Sequence, residues 1–534
     1  GNVTTFKYDA NHYLTDIYDA RGVRALRTEY DSSGRMVRQI NTNGDTVKYD
    51  HDLTGQKETV TDFAGTQTTF EYDERGNVTK KTVGSKVWSY VYDKLDRVLV
   101  TVHPDGSRDS STWDAFGNEL TSTNALGKKV VRTYLNGTDK VTSEKDPLGR
   151  TTLYEYDSKG NLLRTKGPDG KATRRCGYSG GLLVSDTDAL GKVTKFTYDA
   201  YANPLTRTDA LGRVTRYVYD SKGNLLQETD PNGRVNKYEY DANGNRLASI
   251  DPFGVRVSTE YTSFGKPRVV TDKLGRKTMN VYDAFGQQTG TTYADGSKNS
   301  RGYDDNGNVS ATTDVAGRLT TMSYDSENRL TSTTFADGTK VKSEYDVMGR
   351  RKASIDVFGK RTTYEYDLAG RDTLVRDPLG NVTKSRYDAV GRKIEVVNAL
   401  GQSTKTRYDL YDRVVAVVYP DGTKDSSVYD AAGRKTASID AEGRRTEFAY
   451  DAAGQLLSVK DPNKQVTSYT YDNVGNRITQ KDARGRITKF RYDALNRLVA
   501  KEYPDSAKDS TVYDLAGRVA KHIAPNGEIT TFEY

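Results

Sequence analysis

Tyr-Asp pairs recur along this chain every 21 residues, and that period decides what the chain can fold into. From Tyr198 to Tyr534 the steps cover 336 residues, sixteen periods with no slip. From Tyr8 to Tyr198 the steps vary between 20 and 22. Aligned positions there that lose part of the pair include His51-Asp52, Trp113-Asp114 and Tyr134-Leu135. Residues 134–181 are the weakest stretch, punctuated by Asn136-Gly137 and Ser179-Gly180-Gly181. After Tyr198 only Tyr261-Thr262 breaks the pair. The whole of 1–534 therefore reads as one continuous array of about 25 repeats, less regular over 1–197 and strict over 198–534.

Each repeat holds two turns. In the unit from Tyr219 the first is Asp220-Ser221-Lys222-Gly223 and the second is Asp230-Pro231-Asn232-Gly233. Asp-x-x-Gly suits a type I turn closed by a glycine in the left-handed region, with the Asp side chain accepting from backbone N–H groups two residues on. Pro147, Pro231, Pro252, Pro378 and Pro462 occupy the second place of such turns, where a fixed φ is wanted. Between turns lie about seven residues rich in Val, Thr, Leu and Tyr, which alternate as strands do. Alternation sets Thr215, Tyr217 and Tyr219 on one face and Val214, Arg216 and Val218 on the other.

These features predict an all-β protein in which each repeat is one β-hairpin. Successive hairpins join into one long antiparallel β-ribbon of about 50 strands. Stacked Tyr and Thr, at about 0.2–1 kcal/mol per cross-strand pair, then stand in for a thick core. So wide a sheet cannot stay flat. It is expected to spiral into a hollow shell or tube, with room for roughly 20 kDa, or to coil tightly into a filled fibre. An 84-residue echo bears on the choice: Pro420-Asp421-Gly422 recurs as Pro504-Asp505-Ser506, and Ser354-Ile355-Asp356 as Ser438-Ile439-Asp440. It reads either as duplication in blocks of four repeats or as four hairpins per turn of a narrow tube.

Composition narrows the function classes. The hydrophobic fraction is 34% with mean hydropathy −0.78, low for a protein with a conventional core. Yet there are 38 Tyr against 13 Phe and 2 Trp, and such aromatic, β-branched patterning argues against disorder. The net charge of +7 comes from 80 basic and 73 acidic residues, well mixed, which argues for solubility and against a nucleic-acid partner. A single cysteine, Cys176, excludes an internal disulfide framework and a cysteine zinc cluster. No apolar run reaches the ~18 residues of a membrane helix. Gly1–Tyr8 and Gly527–Tyr534 hold the same phase of the repeat, so the chain is expected to be a window on a longer protein.

The phrase Tyr-Asp-x-x-Gly-Arg-Leu followed by Asp-Pro-x-Gly-x-x-Thr-x-x-x-Tyr resembles the YD repeat of the RHS family. Tyr429-Asp430-Ala431-Ala432-Gly433-Arg434 and Asp209-Ala210-Leu211-Gly212-Arg213-Val214-Thr215 carry the resemblance, which covers essentially all of the chain. The family includes bacterial polymorphic toxins, C components of insecticidal toxin complexes, wall-associated toxin carriers and the animal teneurins. The resemblance implies a β-strip spiralled into a hollow cocoon. In the toxins the cocoon holds a C-terminal toxin released by cleavage at an aspartyl motif. It also implies secretion or a cell-surface location. The partners it implies are an encapsulated toxin or flanking plug and core domains of the same protein, and a secretion or toxin-complex component. Asp146-Pro147-Leu148-Gly149 and Asp377-Pro378-Leu379-Gly380 superficially match that Asp-Pro motif but occupy the second-turn slot of ordinary repeats.

The residues offer little chemistry. His12, His51, His103 and His522 lie in separate repeats, which argues against a metal site or a His-based triad. Most carboxylates start turns. Asp304-Asp305-Asn306-Gly307-Asn308 looks a little like a calcium loop but lacks the later Glu and fits an ordinary turn. Lys489-Phe490-Arg491-Tyr492 alternates across the sheet and makes no basic groove. Asn2, Asn77, Asn136, Asn308 and Asn381 begin Asn-x-Ser/Thr sequons that turn usage explains. The expectation is a non-catalytic shell with no catalytic, cofactor-binding or metal residue, carrying a toxin domain that lies outside the fragment. The alternative is a structural or adhesive surface protein, teneurin-like or wall-associated, or a fibre, binding ligands on its exterior.

Overall fold

The computed structural model describes residues 3–19, 22–42 and 44–534, and within them every regular element is a strand. There are 51, from β1 (Thr5–Tyr8) to β51 (Ile529–Thr531), joined in one antiparallel sheet. Each strand pairs with the one before it and the one after it in sequence, as β21 (Val214–Tyr219), β22 (Leu225–Thr229) and β23 (Val235–Tyr240) show. From β19 (Val193–Tyr198) to β50 (Val519–Ile523) six-residue strands ending in the repeat tyrosine alternate with five-residue strands. Thr215, Tyr217 and Tyr219 are half-buried while Arg216 and Val218 are exposed, so the expected alternation holds there. Val214 is half-buried as well.

The two edges of the ribbon differ. At the Tyr-Asp turn the ladder slips, Val218 facing Gln227 but Tyr219 facing Leu225. At the second turn it runs evenly, Gln227 with Lys237 and Thr229 with Val235. From residue 198 onward this asymmetry recurs in every repeat. A bulge bends its strand and adds local twist. A bend repeated on one edge alone makes the ribbon curl in one direction.

The wall is one sheet thick. Among the described residues no strand contacts any strand but its chain neighbours. Only small side chains are fully covered: Ala353 and Ala437, each at the centre of a five-residue strand, are 0% exposed, and no large side chain is completely buried. Cross-strand pairs and turn hydrogen bonds carry the stability that a core supplies elsewhere.

The ribbon returns to itself. The second turn between β16 (Leu162–Lys166) and β17 (Ala172–Ser179) meets the Tyr-Asp turn between β39 (Ser403–Tyr408) and β40 (Val414–Val418). One circuit is therefore 23 strands. At ~4.8 Å per strand that is roughly 110 Å round and roughly 35 Å across. Packed sheets stand only ~10 Å apart, so opposite walls of this ring do not touch. This excludes the filled fibre. It also corrects the four-hairpin tube: the 84-residue echo is a duplication and not a geometric period, because the return is set by gradual curling over many hairpins. The chain makes just over two circuits of a hollow spiral.

Candidate functional site: the turns that close the wall

The Tyr-Asp turn is the repeat's most elaborate device. Asp367 Oδ1 accepts from the N–H of Ala369 at 2.9 Å and of Arg371 at 3.1 Å. The Arg371 Nε donates to Asp367 Oδ2 at 2.7 Å. Gly370 closes the turn with φ +78°, where a Cβ is disfavoured, and its N–H donates to the Asp367 carbonyl. Burial pulls the Asp367 carboxyl up, but the Arg371 hydrogen bonds outweigh it and hold it below the usual carboxylate range. At Asp93 the hydrogen bond from Arg97 dominates and the pKa falls to about 2.

The same arginine joins one repeat to the next. Arg371 Nη1 donates to the carbonyl of Asp388 at 3.2 Å, and its guanidinium lies 4.7 Å from the ring centre of Tyr387. Arg350, Arg413 and Arg434 do likewise onto Asp367 and Tyr366, Asp430 and Tyr429, and Asp451 and Tyr450. Sequence reasoning saw this arginine in the motif and gave it no role. Its place directly after the turn glycine was the available signal.

The repeat tyrosine ties off a loose carbonyl. Tyr429 Oη donates at 2.9 Å to Val414, the first residue of β40. The ladder between β40 and β41 (Lys424–Tyr429) begins only at Ala416, so that carbonyl lies beyond the last pair. Where the tyrosine is replaced the bond survives: Trp113 Nε1 donates to Val98 O at 2.9 Å, and His51 Nε2 lies 2.7 Å from Met36 O. These two apparent defects in the early repeats thus keep the working part of the signature. Tyr134, whose Asp is replaced by Leu135, keeps it as well, donating to Glu119 O at 2.9 Å.

Unlike turns meet along the seam between circuits. Tyr411, at the tip of a Tyr-Asp turn, donates from Oη to Asp169 Oδ1 at 2.5 Å. A Cβ at Gly167 would stand 2.6 Å from the Tyr411 ring, so this turn starts with glycine where most start with Asp. Burial and the Asp169 carboxylate push the Tyr411 phenol up to about 12. Arg150 bridges Asp146, at 2.6 Å from Nε, and Asp412, at 2.7 Å from Nη1. Arg213 Nη1 donates to Gln455 Oε1 at 2.9 Å, and Asn232 Nδ2 to Asp472 Oδ2 at 3.2 Å. Lys86 pairs with Glu327, and Arg234 bonds Asn496. A groove of about 910 Å³ runs along the seam past Pro147, Arg150, Arg371, Val390 and Tyr411.

The other candidates fall into turns. Asp146 and Asp377 of the two Asp-Pro sequences accept from Leu148 and Leu379 N–H at 2.9 Å, as turn-starting residues do. Asp304 accepts from Asn306 and Asn308 N–H at 3.1 and 2.8 Å, an ordinary Tyr-Asp turn. The histidines stay apart: His103 pairs with Asp109 and His522 with Asp509, while His12 takes a turn position at φ +66°. Among the described residues no three His, Cys, Asp or Glu side chains group as a metal site would require. The amides of Asn77, Asn308 and Asn381 are hydrogen-bonded to their own turn carboxylates. Asn2 lies outside the described residues.

The comparisons with known proteins agree with this geometry. Residues 339–529 match the Teneurin YD-shell family. Residues 72–108, 136–172, 179–214, 202–235, 219–256 and 303–340 match the RHS Repeat family. Double-stranded DNA deaminase toxin A of Burkholderia cenocepacia (strain H111) is 28% identical over 166 residues, 30% of this chain and 11% of that protein. Probable deoxyribonuclease RhsB of Dickeya dadantii (strain 3937) is 29% identical over 192 residues, 35% of this chain and 13% of that protein. The crystal structure of TcdB2-TccC3 superposes with a TM-score of 0.60 at 13% identity, over 98% of this chain and 37% of that one. TcdB2-TccC3 without its hypervariable C-terminal region gives 0.61 at 12%, over 98% and 38%. The chain thus spans a minor part of each relative's length. The repeat matches and the shared fold together make this chain an RHS/YD-repeat protein, with its ribbon built as an RHS shell.

Proposed function

We propose that this shell is a non-catalytic container wall that encloses and carries a C-terminal toxin domain lying outside these 534 residues. One observation carries the reading: a wall one sheet thick that closes on itself around a lumen, its circuits locked edge to edge. A wall whose backbone groups are paired within the sheet offers a protease few extended segments to bind. Cargo behind it is kept from both proteases and substrates. The named relatives are a deaminase toxin and nucleases, which supports toxin cargo. In this reading such activity belongs to the cargo, and the protein is secreted or surface-bound. Flanking plug or core domains, or a toxin-complex component, cover its ends.

Limited proteolysis of the full-length protein tests this. The array and one further domain should survive together, the domain becoming cleavable only when the wall is unfolded. A C-terminal domain digested at the same rate with the wall intact would overturn the proposal. The Teneurin YD-shell match favours a second reading, an adhesive exterior. That reading predicts saturable binding of the intact shell to cell surfaces with no enclosed domain.

A further inference from the structure

Six Asn-Gly pairs occur in the chain, beginning at Asn43, Asn136, Asn232, Asn243, Asn306 and Asn526. In such a pair the asparagine amide is open to attack by the next backbone nitrogen, because glycine has no side chain to shield it. What the fold does with that nitrogen decides whether the attack occurs. In five of the pairs the glycine is the fourth residue of its turn, and its N–H closes the turn. Gly44 donates to Asn41 O at 3.2 Å, Gly233 to Asp230 O at 2.9 Å and Gly244 to Asp241 O at 3.1 Å. Gly307 donates to Asp304 O and Gly527 to Ala524 O, both at 2.9 Å.

The sixth pair is out of phase. It lies between β13 (Lys129–Tyr134) and β14 (Val141–Lys145), where Leu135 stands in place of the turn-starting Asp. The loop is one residue longer than usual: Leu135 N–H donates to Lys140 O at 2.8 Å, whereas Asp93 N–H donates to Arg97 O at 3.0 Å. Thr138 makes the closing bond, to Leu135 O at 3.0 Å. Gly137 is therefore third in its turn, at φ +72°, and its N–H takes no part in closing it. Among the described residues that N–H has no acceptor, and nothing stands within 4 Å of where a Cβ would sit. Leu135 also supplies no carboxylate to brace the loop. Asn136 is exposed and its amide is unbonded among the described residues, whereas Asp472 and Asn328 hold the amides of Asn232 and Asn306.

We propose that Asn136 is a site of spontaneous covalent modification. The Gly137 nitrogen attacks the side-chain carbonyl carbon of Asn136, forming a C–N bond. The bond from that carbon to the amide nitrogen breaks, and the Gly137 proton leaves with that nitrogen as ammonia. The five-membered imide that remains adds water at either carbonyl and opens to aspartate or isoaspartate. No oxidant, reductant or enzyme is required. Each event replaces a neutral amide by a carboxylate in a loop outside the ladder, so the flanking pairs, such as Thr133 with Ser143, stay in place. The other five pairs react only after a turn bond opens, which slows them roughly tenfold.

Peptide mapping by mass spectrometry tests this on the 534-residue chain held warm at mildly alkaline pH. Isoaspartate is read separately by methyl transfer from S-adenosylmethionine with an isoaspartyl methyltransferase. Conversion at Asn136 should outrun that at every other Asn-Gly pair by roughly tenfold or more. In urea the six rates should converge, which assigns the difference to the fold. Asn136→Gln should remove most methyl acceptance from the folded chain while leaving its melting curve unchanged. An Asn136 that stays intact while the unfolded chain reacts, equal rates at all six pairs in the folded chain, or a preference for Asn136 that persists in urea would overturn the proposal.

Discussion

The Tyr-Asp turns before Asp325 and those from Asp325 onward obey one motif with two chemistries. Eight of the ten turns from Asp325 to Asp514 close with arginine, whereas Arg35 and Arg97 are the only such arginines earlier. The earlier turns favour asparagine. Asn224 donates to the Asp220 carboxylate at 2.8 Å and completes its own turn. Arg371 completes its turn and also grips the next one. The arginine turns lie in the seam and the asparagine turns mostly outside it. A turn therefore has two tasks, reversing the chain and fastening its neighbour: arginine reaches the next turn's backbone carbonyl and tyrosine ring, while Asn77, Asn118 and Asn308 reach the next turn by a single amide hydrogen bond, to Asp96, Thr138 and Asn328.

The largest expected effect comes from breaking the strict period. Deleting Thr436 from β42 (Lys435–Ile439) puts the side chains beyond it on the wrong face. Proteolysis should then cut the adjoining hairpins, a loss of several kcal/mol locally. Deleting Asn136, in a loop of the region whose steps already vary, should leave the protection pattern of its neighbours unchanged. Equal damage from both deletions would mean that the two regions do not differ in tolerance.

A middle-sized effect tests the two turn chemistries. Arg371→Ala should lower the opening free energy of the hairpins on both sides by about 1–2 kcal/mol in hydrogen exchange. Asn224→Ala should cost about 0.5–1 kcal/mol, confined to its own turn. A loss from Arg371→Ala that stops at its own turn would refute the fastening role.

The smallest effect is a titration. A carboxylate held below its unfolded pKa contributes stability above that value and loses it as pH falls through the folded pKa. Asp93 titrates at about 2, and Asp367 and Asp220 are also lowered. Melting temperature should therefore stay level from neutral pH to about 5 and fall between about 4 and 2. Arg97→Asn should raise the Asp93 titration followed by NMR. An unmoved titration would show that the arginine is not its cause.

Much of this was legible in the residues. The period, the two turn types and the alternation of Thr215 and Tyr217 with Arg216 define hairpins directly. The width of the spiral was not legible, because it comes from a small bend repeated at each Tyr-Asp turn. No single residue specifies a circuit. The seam was hidden for the same reason: Arg150 and Asp412 are ordinary turn residues until the curl places them together. The retained bonds of His51 and Trp113 were hidden because the alignment shows a lost tyrosine and not the carbonyl it served.

The circuit of 23 strands is an odd number, so each loop lies above a loop of the other type. Adding whole repeats at an end leaves every existing contact in place. Such a change raises the rim without altering the girth. Capacity can thus be inherited in units, each duplicated block of the kind echoed at 84 residues adding volume in proportion to its length.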